Sequence, residues 1–93
     1  MSFEGRVAIV TGAGRGIGKA IAAAFVSEKA HVIMADIGPA KEMRRVAKEL
    51  SSGSVQVVPM KVDVSRYDQV RKMTADVEAS FQRLDILVNN AGI

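Results

Sequence analysis

The run Val10-Thr11-Gly12-Ala13-Gly14-Arg15-Gly16-Ile17-Gly18 sets four glycines around one arginine, directly after an apolar stretch and directly before one of helical periodicity. A loop of this kind can grip phosphate. The first turn of a helix leaves N–H groups unpaired and carries the positive end of the helix dipole, so a diphosphate binds there if no side chain blocks its approach. Glycines clear that approach and permit positive φ in the turn. The spacing is T-G-x-x-x-G-x-G and not G-x-G-x-x-G, because Ile17 stands where the second pattern requires glycine. An acid, Asp36, ends the next apolar run, close to the separation expected of a carboxylate that accepts hydrogen bonds from a ribose. Loop and acid together read as a site for a dinucleotide.

Such a site needs a strand before the loop, a helix after it and a second strand beside the first. Four apolar runs, Val7 to Val10, His31 to Ala35, Val55 to Val62 and Leu84 to Val88, read as strands whose near-continuous apolar character suits a parallel sheet covered on both faces. Three amphipathic stripes alternate with them: Ile17, Ala20, Ile21, Ala24 and Phe25; Ala40, Met43, Val46, Ala47 and Leu50; Tyr67, Val70, Met73, Thr74, Val77 and Phe81. The expected fold is α/β, one dinucleotide-binding half of a Rossmann-type domain over residues 1–93, ending after the fourth strand. Gly38-Pro39 is expected to turn the chain out of the second strand, Ser51-Ser52-Gly53-Ser54 to end the second helix, and Ser65 with Asp68 to open the third as a capping box. Pro59 is tolerated in a strand mainly at a sheet edge, which places the third strand there and fits the expected strand order 3-2-1-4. In that order the glycine loop, Asp36, Asp63 and Asn89-Asn90 all fall at carboxyl ends of strands, where open α/β sheets bind ligands.

Composition narrows the alternatives. A chain of 93 residues builds one small domain and buries only about 60 to 65% of its unfolded surface. With no cysteine, thiolate and disulfide chemistry are excluded, and His31 has no acidic or thiol partner at ligand spacing, so no metal site is expected. The net charge of +3 is spread along the chain without interleaved aromatics, which argues against nucleic-acid binding. No run approaches the roughly 20 apolar residues of a membrane span, and a cytoplasmic protein is expected. Met34, Met43, Met60 and Met73 fall at packing positions.

With these residues placed, the chain resembles the N-terminal half of the short-chain dehydrogenase/reductase family. The resemblance rests on Thr11-Gly12-x-x-x-Gly16-x-Gly18, Asp36 closing the second strand, Asp63-Val64 closing the third and Asn89-Asn90-Ala91-Gly92 closing the fourth. The opening Phe3-Glu4-Gly5-Arg6-Val7 and the closing Asn-Asn-Ala-Gly-Ile also look like the 3-oxoacyl carrier-protein reductase and small-polyol dehydrogenase branches. The resemblance implies an NAD(P)-dependent oxidoreductase that moves hydride between a nicotinamide cofactor and an alcohol or carbonyl substrate. Gly12, Gly14, Arg15, Gly16 and Gly18 would cradle the pyrophosphate, with Ile17 packing near the nicotinamide. Asp36 and Ile37 would hold the adenosine ribose, Asp63 and Val64 the adenine, and the backbone of Asn90, Ala91 and Gly92 the nicotinamide ribose. Asn89 would mainly brace the sheet. For Asp63 a simple role beside Ser65 at the start of the third helix stays open, as does a plain turn for Asn89-Asn90.

Asp36 and Arg15 point to different cofactors. Asp36 can accept from both ribose hydroxyls and would repel a 2′-phosphate, whereas related NADP users often carry a base at the position of Arg15. A carboxylate facing phosphate in a partly desolvated pocket costs more than one flexible arginine recovers, so NAD is expected over NADP. The family's chemistry uses a Tyr-x-x-x-Lys pair with an upstream serine, and these 93 residues contain none. The only tyrosine, Tyr67, has Arg71 four residues on and is expected to pack on an apolar face. No catalytic residue is therefore expected here, and a small-molecule substrate would bind only with the missing half. A non-catalytic dinucleotide-binding module and a purely structural half-fold are the alternatives. Ile86 and Val88 are expected on the two sides of a fourth strand with no further neighbour, an exposed edge that favours self-association.

Overall fold

The computed structural model describes residues 2–14 and 16–90, so Arg15, Ala91 and Gly92 lie outside the described residues. Strands β1 (Val7–Thr11), β2 (His31–Asp36), β3 (Val57–Lys61) and β4 (Ile86–Val88) alternate with helices α1 (Gly16–Ser27), α2 (Ala40–Leu50) and α3 (Tyr67–Phe81). All pairings are parallel and the order is β3-β2-β1-β4, as expected.

Strand alternation divides the core between the two faces of the sheet. Val10, Val32, Met34 and Val57 pack with Ala22 of α1 and with Val46 and Ala47 of α2. Ile9, Ile33 and Ala35 face the other way onto Met73 and Val77 of α3. β1 is buried along its whole length and β2 at all but its two ends, the burial that continuous apolar runs require. No helix among the described residues is long and apolar enough to cross a membrane.

The ladder explains why proline is accepted in β3. Val32 N–H donates to the Gln56 carbonyl at 3.0 Å and Val62 N–H to the Asp36 carbonyl at 2.9 Å. In a parallel ladder the even-numbered residues of β3 then bond to β2, and Pro59 falls where an N–H would point outward from the edge.

Four local expectations are corrected. The core-facing line of α1 runs through Gly18, Ile21, Ala22, Phe25 and Val26, while Ile17, Ala20 and Ala24 are exposed. Gly18 sets this phase, because only a residue without a side chain can lie against the Gly12 carbonyl. Ser65 and Asp68 form no capping box: α3 opens after Arg66 with no side-chain cap, and the Ser65 hydroxyl donates instead to Asp63. Tyr67 does not pack on an apolar face; it is 75% exposed, with the Arg71 guanidinium 5.8 Å from its ring centroid. Ile86 and Val88, two residues apart, share a face, and Leu87 alone points to the other, 55% exposed.

Candidate dinucleotide site

The glycine loop leaves β1 at Thr11 and enters α1 at Gly16. Gly12 (φ 64°) and Gly16 (φ 60°) both occupy the left-handed region, where residues with a Cβ are strained. A Cβ built on Gly18 would lie 2.0 Å from the Gly12 carbonyl oxygen and 2.7 Å from Asn90 Nδ2, so glycine lets the helix seat against the loop. At Gly16 a Cβ would meet nothing within 4 Å, and the first turn of α1 carries no acidic side chain. Among the described residues the first turn of α1 thus sets no acidic side chain against the positive end of the helix, which fits a diphosphate.

Asp36, the last residue of β2, reaches back to this loop. Its Oδ2 accepts from the Gly14 N–H at 2.8 Å, while Oδ1 accepts from Ile37 N–H at 2.7 Å and Gly38 N–H at 3.1 Å. A Cβ on Gly14 would fall 2.7 Å from Oδ2, so the carboxylate occupies the space that glycine leaves. Gly14, Asp36, Ile37 and Gly38 line a cleft of about 260 Å³ together with Pro39, which precedes α2, and with Glu42 and Met43 in its first turn. A hollow of about 560 Å³ between Met60, Lys61 and α3 is larger but includes no residue of the loop, and its Lys72 is bound to Asp76 at 2.9 Å.

The end of β4 is tied to the end of β1. Asn90 N–H donates to Thr11 Oγ1 at 2.9 Å, and Asn90 Nδ2 lies 3.4 Å from the Gly12 carbonyl oxygen. Thr11 Oγ1 lies 3.3 Å from both the Val88 carbonyl and Asn89 Oδ1, so Asn89 contacts β1 and does not project into the cleft. Thr11 is the buried polar side chain among the described residues. Its place in the T-G motif is visible in the sequence, but the junction it makes with Asn90 spans 79 positions and is not.

Asp63 and Val64 do not line the cleft. Asp63 Oδ1 accepts from both the hydroxyl (2.6 Å) and the backbone N–H (3.0 Å) of Ser65, and Gln69 Oε1 accepts the Asp63 N–H at 2.8 Å. These Ser65 bonds hold the Asp63 carboxyl below the usual carboxylate range. The role beside Ser65 at the start of the third helix is thus the one the described contacts display. Ile17 and Ile37 are 71% and 64% exposed, two large apolar side chains at the carboxyl side of the sheet. Met43 is a cleft residue that the sequence placed only at a packing position of the second stripe, and Glu42 is one it did not single out; their signal is their position just after the Gly38-Pro39 turn. Among the described residues no cluster of His, Asp or Glu could hold a metal ion, and His31 Nδ1 instead accepts the Gln56 N–H at 2.9 Å.

Comparison with known proteins agrees with this geometry. The family model described as short chain dehydrogenase matches residues 6–93. The chain is 39% identical over its full length to 3-oxoacyl-[acyl-carrier-protein] reductase of Thermotoga maritima, of which it spans 37%. Among solved structures it superposes with a TM-score of 0.90 and 36% identity on a metagenomic short-chain oxidoreductase in complex with NADP, covering 100% of this chain and 42% of that one. A 3-ketoacyl-(acyl-carrier-protein) reductase of Brucella melitensis complexed with NADH gives a TM-score of 0.87 at 36% identity, covering 99% of this chain and 36% of that one. Of these relatives one solved structure holds NADP and the other NADH, and all three extend well beyond the region matched here. On its glycine loop, its strand order and this match, the chain belongs to the short chain dehydrogenase family.

Proposed function

We propose that this chain is the cofactor-holding portion of a cytoplasmic oxidoreductase that moves hydride between NAD(H) and an alcohol or carbonyl substrate, the acid/base and substrate-binding groups coming from the remainder of a longer protein. The observation that carries this reading is the pairing of an α1 N-terminus whose first turn carries no acid with the Asp36 carboxylate 2.8 Å from the Gly14 amide. The backbone from Gly12 to Gly18, with Arg15, holds the pyrophosphate. Asp36 and Ile37 hold the adenosine ribose, and Asn90, Ala91 and Gly92 flank the nicotinamide ribose. The bound nicotinamide supplies or accepts the hydride; the residues of this chain bind and orient it. Asp63 and Val64 take the adenine, a role compatible with the Ser65 contacts because both of them fall on Oδ1.

Asp36 also sets the preference for NAD over NADP. An ionised carboxylate has about four acceptor positions, and three are taken by backbone amides, so accepting from both ribose hydroxyls requires one amide to yield. A 2′-phosphate brings only acceptors and negative charge to the same place. Calorimetric titration of the chain and of Asp36→Ala with NAD and NADP tests this. NAD binds more tightly to the wild type and the difference narrows or reverses in the variant; a wild type that already prefers NADP refutes the assignment and gives the choice to Arg15.

We also propose self-association through β4. Pro59 blunts the β3 edge, whereas β4 offers three apolar residues, with Leu87 55% exposed.

A further inference from the structure

Glu42 stands in the first turn of α2 and lines the same cleft as Asp36, Gly14 and Gly38. Its carboxylate is paired with Arg45, whose other terminal nitrogen lies 3.3 Å from Glu49 Oε2; Glu49 in turn lies 3.6 Å from Lys19 Nζ on α1. The hydrogen bond from Arg45 holds the Glu42 carboxyl below its ordinary range, so it carries its charge at neutral pH. Arg45 bridges Glu42 and Glu49 while Lys19 pairs with Glu49, so Glu42 depends on Arg45 for its direct partner, and Asp36 and Glu42 are the acids among the residues lining the cleft.

We infer that Glu42 is a second determinant of cofactor choice, an acid lining the cleft that disfavours a ligand carrying a 2′-phosphate, with Arg45 setting how strongly its charge is felt. This rests on the reading of the cleft as the adenosine ribose site. Asp36 acts by contact; Glu42 acts through space. The two are therefore distinguishable by salt. At about 0.01 M salt the Debye length is about 30 Å and at about 1 M it is about 3 Å, so a through-space effect present at the first is largely absent at the second.

The test is calorimetric titration of the 93-residue chain with NAD and NADP, for wild type, Glu42→Gln, Arg45→Gln and Asp36→Ala, at both salt concentrations. A charge several ångströms from a phosphate in a high-dielectric cleft changes affinity by about fivefold. Glu42→Gln is expected to reduce the NAD-over-NADP ratio by about that factor at low salt and to leave it unchanged at high salt. Arg45→Gln, which leaves Glu42 without its partner, is expected to raise the ratio. Helix packing lost in either variant would instead move both cofactors together, in the same direction for both variants. An unchanged ratio in Glu42→Gln, alongside a changed ratio in Asp36→Ala, overturns the role of Glu42 and leaves the NAD reading standing. A wild type that prefers NADP, or binds neither dinucleotide, overturns both.

Discussion

Replacing Gly18 with alanine adds one methyl group where α1 meets the glycine loop, and it tests the geometry on which the phosphate site depends. The new Cβ would fall 2.0 Å from the Gly12 carbonyl oxygen, an ångström inside the closest approach that real Cβ atoms make, and 2.7 Å from Asn90 Nδ2. The obstacle is backbone, so relief requires the helix to move. Overpacking at a site that cannot relax costs about 1–3 kcal/mol. Losing the long Asn90–Gly12 bond adds up to about 1 kcal/mol, and the better helix propensity of alanine returns about 1 kcal/mol. The net loss is about 2 kcal/mol, which in a domain of this size lowers Tm by about 10 °C. Gly16→Ala is the control: its Cβ meets nothing within 4 Å, and only the left-handed φ of 60° opposes it, at about 1–2 kcal/mol. Thermal unfolding followed by circular dichroism, with NAD titration of the folded variants, reads both effects. Gly18→Ala melting at the wild-type temperature with unchanged NAD affinity would refute the close seating of α1.

Three further outcomes are expected. Asp85 accepts from Arg83 and from the Val7 N–H, which together lower its pKa to about 2. Because the folded value lies below the usual one near 4, its contribution to stability is whole above about pH 4 and disappears as pH falls toward 2. Acid titration of the melting temperature should therefore show a loss across that window that Asp85→Asn lacks, and identical profiles would contradict the clamp. Sedimentation should show concentration-dependent association that Leu87→Lys weakens; a monodisperse wild-type monomer at high concentration would exclude the β4 edge as a contact. Residues 1–93 alone should give no NADH from a panel of alcohols, and turnover that survives Tyr67→Phe would reveal an unrecognised base.

Sequence reading reached the fold because its signals are local and mutually consistent. Buried parallel strands are apolar throughout, and Pro59 marks the edge through a donor it lacks. The glycine loop was legible for the same reason, since Gly12 and Gly16 take a left-handed φ that glycine adopts without strain and Gly18 lies where a Cβ would meet the Gly12 carbonyl. What sequence missed depends on contacts between distant segments. The phase of α1 is set by Gly18 against Gly12 and not by its largest side chains, so a stripe drawn through Ile17 and Ala24 is rotated off the sheet. The Ser65 hydroxyl donates to Asp63 and α3 opens only after Arg66 with no side-chain cap, a displacement of the helix start that the spacing from Ser65 to Asp68 does not reveal. Glu42 enters the cleft only because the Gly38-Pro39 turn folds α2 back over the end of β2, a consequence of tertiary geometry that periodicity does not carry.

That a dinucleotide sits against the α1 N-terminus and Asp36 is tested most directly by amide chemical-shift mapping of the isotopically labelled chain during titration with NAD. The expected result is saturable shifts at Gly12, Gly14, Gly16, Ile17, Gly18, Ile37 and Gly38, the amides around the α1 N-terminus and Asp36, with Lys72 and Asp76 in the larger hollow unmoved. Saturable shifts confined to that hollow, or none at all in a folded chain, would contradict it.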